Sequence, residues 1–365
     1  MKKISSKKWI LSVLTIIVII FIGCISLVII IDPYLHYRLP DNGLSYSLTT
    51  QNQRYQNDGI IKFFDYDAMI TGTSMTENFK TSEFDKLFHM KSIKIPFSGG
   101  SYREVNNTCK RALEINPDVK AVVRSIDLSM LVCEKDSMRY SNYPEYLYNN
   151  NLIDDVNYWL NKMTILEGCM QNVIFHSLVA GTEQSFLNSF SFDEYSNWQD
   201  EHTFGKESVL ASYMRPDEKD NIVEVTDQDK QMIRDNVAQN ITELTCAYPD
   251  TTFYFFLTPY SICYWDSLDR EGKVKWEVEA QRVAIEEMLK CDNIELYSFC
   301  NNFEMVCNLN NYKDVGHYSE NINSQILVWM KNGDYKLTEE NYEDYLKEIY
   351  YFYSSYDYES IFTNS

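Results

Sequence analysis

The sequence predicts an α/β protein whose central parallel sheet of about five strands stands behind one N-terminal transmembrane helix. Three observations predict it. One long uncharged run opens the chain, short apolar runs of strand length recur beyond it, and helical patterns separate those runs.

The uncharged run covers residues 10–31, ILSVLTIIVIIFIGCISLVIII, and its 22 residues suffice to cross a hydrocarbon layer of ~30 Å as a helix. Lys2, Lys3, Lys7 and Lys8 precede it and Asp32 follows, so the amino end is expected in the cytoplasm. The main domain is then extracellular, on a single-pass protein of the cell membrane. A cleaved signal has an apolar region of only about 7–15 residues and a small-residue cleavage site. This run ends IIIDPYLHY without one, so an uncleaved anchor is expected. The chain thus divides into a cytoplasmic tail (1–9), an anchor (10–31) and a polar neck (32–60) broken by Pro33, Pro40, Gly43 and Gly59.

The strand-like runs are 68–71, ending at Gly72, then 92–97, 119–126, 252–257 and a shorter 294–297. Helical patterns cover 76–87, 102–114 and 273–289, which argues for a parallel sheet covered on both faces. Ligands of such sheets sit beyond the carboxyl ends of the strands, here the segments 72–77, 97–102, 125–128 and 258–260. The third and fourth runs are much farther apart than one crossover helix requires. Residues 129–235 are therefore expected as an insertion in a domain spanning 61–335, helical near 155–170, and either a lid or peripheral packing. In the last segment, 336–365, Tyr342, Tyr345, Leu346, Ile349, Tyr350 and Tyr353 fall on one face of an amphipathic helix that should dock on the domain.

The formal charge is -20, and four of the 33 basic residues precede the anchor, so the remainder is more acidic still. Nucleic acid is excluded as a partner by that balance, and anionic headgroups are disfavoured. The 28 tyrosines, 19 phenylalanines and 6 tryptophans fill a core and suit stacking on sugar rings. Nine cysteines form no C-x-x-C, and none of the five histidines stands at ligand spacing from a cysteine pair. No metal site and no cofactor are expected, and disulfide pairing is left open.

Two local patterns carry chemistry. In Gly72-Thr73-Ser74 a glycine permits a tight turn that presents Ser74 beside helix N-terminal amides. Ser74 is then a nucleophile or simply a helix cap. Near the other end, Asp314 stands three residues before His317 in a polar loop, so His317 can take a serine proton while Asp314 holds the tautomer. Arg124 and Asp127, after the third run, are read as an anion-binding residue and its polar neighbour, or as a structural pair.

Gly-Thr-Ser after the first strand, with Asp-x-x-His before the last helix, resembles the SGNH/GDSL-type hydrolases over roughly residues 60–128 and 245–330. The segments 31–37, 72–74 and 96–101 are similar to a membrane-anchored Gram-positive envelope branch of that superfamily. That branch includes the D-alanine transfer protein of teichoic acid synthesis and exopolysaccharide O-acetylation proteins. The resemblance implies a flavodoxin-like three-layer sandwich. It makes Ser74 the nucleophile, His317 the general base, Asp314 its orienting partner, and Gly99 or Gly100 the oxyanion glycine.

The activity implied is that of a serine-dependent O-acyl esterase or acyltransferase working through a seryl ester. Its substrate would be a cell-envelope polysaccharide or teichoic-acid-like polymer. The lipid bilayer would be a partner through residues 10–31, with a membrane acyl-donor protein as a further one. The alternative is a catalytically inactive SGNH-like envelope assembly or glycan-binding protein. One element of the family pattern is absent. Where G-x-N-D is usual the chain reads Arg124-Ser125-Ile126-Asp127-Leu128, so an oxyanion donor worth ~3 kcal/mol must be replaced.

Overall fold

The computed structural model describes residues 6–140, 143–180, 191–217 and 219–363. The first five residues of the expected cytoplasmic tail, with Lys2 and Lys3, lie outside them, as do residues 181–190 of the expected insertion. The chain forms two compact units, one of Met1–Phe64 with Asn142–Ser191, the other of Asp65–Ser141 with Phe192–Ser365. The division falls inside the expected insertion 129–235, whose middle part joins the neck and the apolar helix.

In the first unit the apolar helix runs Ser6–Ile31, long and apolar enough to cross a membrane. It stops at Asp32, which takes a left-handed φ of 49°. The buried Asp32 carboxylate collects the amides of His36, Tyr37 and Arg38 at 2.9, 2.8 and 3.2 Å and the Tyr158 hydroxyl at 2.9 Å. A carboxylate with several donors organises a turn, and this one locks the neck under the helix. Around it, Val28, Ile31, Tyr34, Leu35, Cys169 and Val173 form a core. The helix Gln53–Phe63 belongs to this unit, as do the short helix Val156–Trp159, π-helical turns over Thr164–Phe175 and an α-helix His176–Ala180.

The second unit is built on a mostly parallel sheet of six strands. They are β1 (Ala68–Gly72), β2 (Ser92–Pro96), β3 (Ala121–Ile126), β4 (Thr252–Leu257), β5 (Ile294–Ser298) and β6 (Lys336–Leu337). Their order is β2-β1-β3-β4-β5-β6, and only β6 is antiparallel. β1, β2 and β3 are buried at every residue, Lys94 of β2 and Arg124 of β3 included. The sixth strand adds to the five expected. With two residues it is too short to show any periodicity.

The helix Tyr102–Ile115 starts with a capping box, Ser101 Oγ accepting from the Glu104 amide and Glu104 returning to the Ser101 amide. Val274–Met288 lies within one residue of its expected bounds, and Glu320–Asn332 ends at Gly333 in a left-handed cap. The C-terminal helix Tyr342–Ser355 buries Tyr345, Leu346, Ile349 and Tyr353, and the Tyr353 ring stacks on Trp265 at 3.7 Å.

One expected helix is different. Residues 76–87 divide into a 3-10 turn, Ser74–Thr76, and a helix that begins only at Thr81. The reason is Lys94 of β2, buried in the sheet, whose ammonium group donates to the carbonyls of Glu77 and Phe79 at 2.5 and 3.0 Å. Carbonyls turned toward Lys94 are withdrawn from a helical ladder.

Candidate active site

Parallel strands in this order bring the carboxyl ends of β1, β2, β3 and β4 to one side of the sheet. A cleft of about 420 Å³ opens there, bordered by Ser74, Gly99, Asp127, Tyr260 and the loop Asp314–His317. A larger groove of about 580 Å³, between Asn301 and Glu348, contains no serine, cysteine or histidine.

The turn after β1 places Ser74. Gly72 has φ 143°, and a Cβ there would lie 2.5 Å from Ser125 Oγ and 2.7 Å from Thr76 Cγ2, so only glycine fits. Thr73 donates its hydroxyl to both oxygens of Asp127 at 3.0 Å, while Tyr318 and Asn323 hold the Met75 carbonyl from the other side. The nucleophile candidate therefore sits on a turn pinned at both ends.

The histidine loop is held as tightly. Tyr312 and Tyr318 close it by an antiparallel bridge, and both the amide and the hydroxyl of Ser261 donate to the Val315 carbonyl. Asp314 takes the Gly316 and His317 amides at 2.9 and 2.8 Å, and its two oxygens lie 3.0 and 2.8 Å from His317 Nδ1. Burial pushes the Asp314 carboxyl up, but the His317 ring and those two amides outweigh it and hold the group at about 2. An ionised carboxylate only accepts, so Nδ1 carries the proton and donates. In the neutral ring Nε2 is then the acceptor, and Ser74 Oγ lies 2.8 Å from it. Trp198 packs edge-on against the His317 ring, centroids 5.6 Å apart.

Two backbone amides at the cleft are unspent. Among the described residues neither the Ser74 nor the Gly99 amide has a hydrogen-bond acceptor, and both residues border the cleft. Gly100, the other expected oxyanion glycine, spends its amide on the Phe97 carbonyl at 2.8 Å. The expected helix N-terminus beside Ser74 is replaced by the 3-10 turn, so a helix dipole does not contribute there.

Arg124 does not reach the cleft. It is 1% exposed, and its guanidinium donates to the carbonyls of Asn240 and Tyr102 at 2.9 and 3.2 Å. Its place on β3 turns it into the layer beside the sheet, so the substrate-binding role read for it is corrected to a structural one. Asp127 does border the cleft but has no hydrogen bond with Arg124. It accepts from Thr73, Ser125 and Tyr260, at 3.3 Å from Ser125 and 3.1 Å from Tyr260. Burial raises its pKa against those three hydroxyls.

Sequence reasoning missed Arg139, Ser129 and Tyr260, which line the cleft, and Trp198 beside His317. Tyr260 was within reach, since it follows β4 in a segment where the strand-end rule looks. Arg139 and Trp198 come from stretches without periodicity and carried no signal. Among the described residues no three His, Cys, Asp or Glu side chains stand where they could hold a metal ion. Comparison with protein-family models, with curated proteins and with solved structures finds no match for the chain.

Proposed function

We propose that this protein is a serine-dependent O-acyl esterase or acyltransferase of the SGNH/GDSL type, anchored in a cell membrane and acting on an envelope polysaccharide or teichoic-acid-like polymer. The observation that carries the reading is the hydrogen-bonded chain from Ser74 Oγ through His317 to Asp314. The strand order β2-β1-β3-β4-β5 is that of flavodoxin-like doubly wound sheets, which supports a three-layer sandwich with its site at the strands' carboxyl ends.

The chemistry follows from the geometry. Ser74 gives its hydroxyl proton to His317 Nε2 as Oγ attacks an ester carbonyl, and Asp314 stabilises the imidazolium through Nδ1–H. The Ser74 and Gly99 amides receive the tetrahedral oxygen. His317 then returns the proton to the departing alkoxide, leaving a seryl ester. Water or a sugar hydroxyl, deprotonated by the same Nε2, attacks that ester and restores Ser74. Water makes the protein an esterase, and a glycan hydroxyl makes it a transferase.

Lys7 and Lys8 in the first turn of the helix Ser6–Ile31 favour a cytoplasmic amino end. The Cys246–Cys291 disulfide favours an oxidising compartment for the second unit. Both fit a domain outside the cell, with a membrane acyl-donor protein as a partner.

Labelling of the full-length protein with a serine-reactive fluorophosphonate tests the proposal. Wild type should label at Ser74, and S74A and H317A should not. Equal labelling of all three would sink the nucleophile assignment. A wild-type protein that does not label but retains glycans would turn the reading to an inactive binding protein.

A further inference from the structure

Helix Ser6–Ile31 is not the only apolar surface of the first unit. The turns from Thr164 to Ala180 carry a second one. Cys169 and Val173 point into the core with Val28 and Ile31. Leu166, Met170, Phe175, Leu178 and Val179 point outward, with Phe175 63% and Leu178 78% exposed. The spacing of Leu166, Met170, Phe175 and Val179 is four or five residues, which matches the wide π-helical turn and keeps these side chains on one face. Just upstream, Leu152 and Ile153 are exposed at 69% and 85%.

This is not a loosely held surface. Gly168 lets the helix close on the neck, since a Cβ there would meet Pro33 Cγ at 2.9 Å. Ser177 exchanges hydrogen bonds with the Ser45 backbone at 2.8 and 3.3 Å. Folding has already chosen which side chains to bury, and it leaves these large ones out.

We infer that the segment from Leu152 to Val179 is a second membrane-contacting element, lying in the outer face of the bilayer beside the anchor without spanning it. Its occupant is lipid, for three reasons. The segment packs on the end of the anchor: Cys24, Ile25 and Leu27 are part-covered and Val28 is buried, while Ile29 and Ile30 on the other side are exposed. From Cys24 to Ile31 is about 10 Å of helix, which is the depth that interfacial helices reach, about 5–10 Å. The anchor's own exposed side chains continue the apolar surface without a break in kind. The backbone over Thr164–Ala180 is helical, so its polar groups are satisfied internally, as hydrocarbon demands. Arg38, donating to the carbonyls of Ile29 and Ile30 at 3.1 and 2.8 Å, marks the polar limit of the same layer.

The inference rests on reading Ser6–Ile31 as the anchor, and its test separates the two. The full-length protein is reconstituted in phosphatidylcholine vesicles containing a phospholipid with a photoactivatable group in its acyl chain, irradiated, digested and read by mass spectrometry. Lipid adducts are expected on peptides from residues 6–31 and from 152–179. A triple variant, Leu166→Gln, Phe175→Gln and Leu178→Gln, changes only exposed positions. It should lose adducts on 152–179 several-fold and keep those on 6–31. Adducts confined to 6–31 in the wild type overturn this inference and leave the anchor standing. Adducts on neither segment overturn both. Dimers trapped through 152–179 by a separate bifunctional cross-linker, with no lipid adducts there, assign the face to self-association and overturn the lipid occupant.

Discussion

Asp314 sets the state of the site at the scale of single residues. Because hydrogen bonds from His317 and Gly316 outweigh its burial and keep the carboxyl at about 2, it stays ionised wherever the protein is folded near neutrality. In the proposed reaction its work is to fix which imidazole nitrogen is bare. Asp314→Asn keeps the shape but can donate to Nδ1, favouring the wrong tautomer. Fluorophosphonate labelling and ester turnover should fall by about 10²–10⁴-fold with an unchanged circular dichroism spectrum. Gly72 is a second single-residue requirement. Gly72→Ala combines a left-handed φ with a 2.5 Å approach to Ser125 Oγ. It should cost about 1–3 kcal/mol or more of stability, measured by denaturant unfolding, and should abolish labelling because Ser74 is displaced. The candidate triad could be read in the sequence because Ser74 follows a strand-ending glycine, and Asp314 and His317 are three residues apart in a polar loop. Arg139 and the burial of Arg124 could not. Which face of β3 points to the cleft depends on the neighbouring layers.

At the scale of elements, Lys94 has the widest reach. Burial lowers its amine to about 7, and the group satisfies carbonyls on the segment that links the Ser74 turn to the helix Thr81–Phe88. Lys94→Met would leave those carbonyls buried without donors. The expected loss is about 2–4 kcal/mol, read from urea unfolding in detergent, together with slower labelling of Ser74. Short, mostly apolar runs flanked by turns placed β1 to β5 because they are local signals. The break at residues 77–80 was not legible, since the side chain that causes it sits on another strand. The π-helical turns over Thr164–Phe175 were equally hidden, as their apolar residues serve two surfaces and show no single stripe.

Two properties belong to the whole molecule. Burial raises the Glu277 carboxyl to about 7 from an ordinary 4.5, with Gln281 and Tyr264 as its hydrogen-bond donors. The folded state therefore binds more protons than the unfolded state between those values. Stability contributed by this group is present below 4.5 and is lost as pH rises through about 7. Glu277→Gln should raise the melting temperature at pH 8, by about 1–3 kcal/mol of stability, and flatten the decline between pH 5 and 7. The disulfide Cys246–Cys291 closes a loop of 45 residues and ties the end of a helix to the segment before β5. Its reduction should cost about 2–4 kcal/mol. Intact mass of the purified protein under non-reducing conditions should be lighter by two hydrogens than after reduction.

What the sequence determined alone is local. An uncharged run of 22 residues, unbroken strand runs, the Gly72–Ser74 turn and the Asp314–His317 spacing are each legible within a few residues. Only the tertiary structure decided which distant pieces meet. It brought Ser74 within 2.8 Å of a histidine 243 residues away, spent the Gly100 amide on Phe97 and took Arg124 out of the cleft. It also gathered residues 143–180 into one unit with the apolar helix. Chain neighbours constrain backbone shape, whereas burial and pairing across long separations depend on packing that no window of sequence contains.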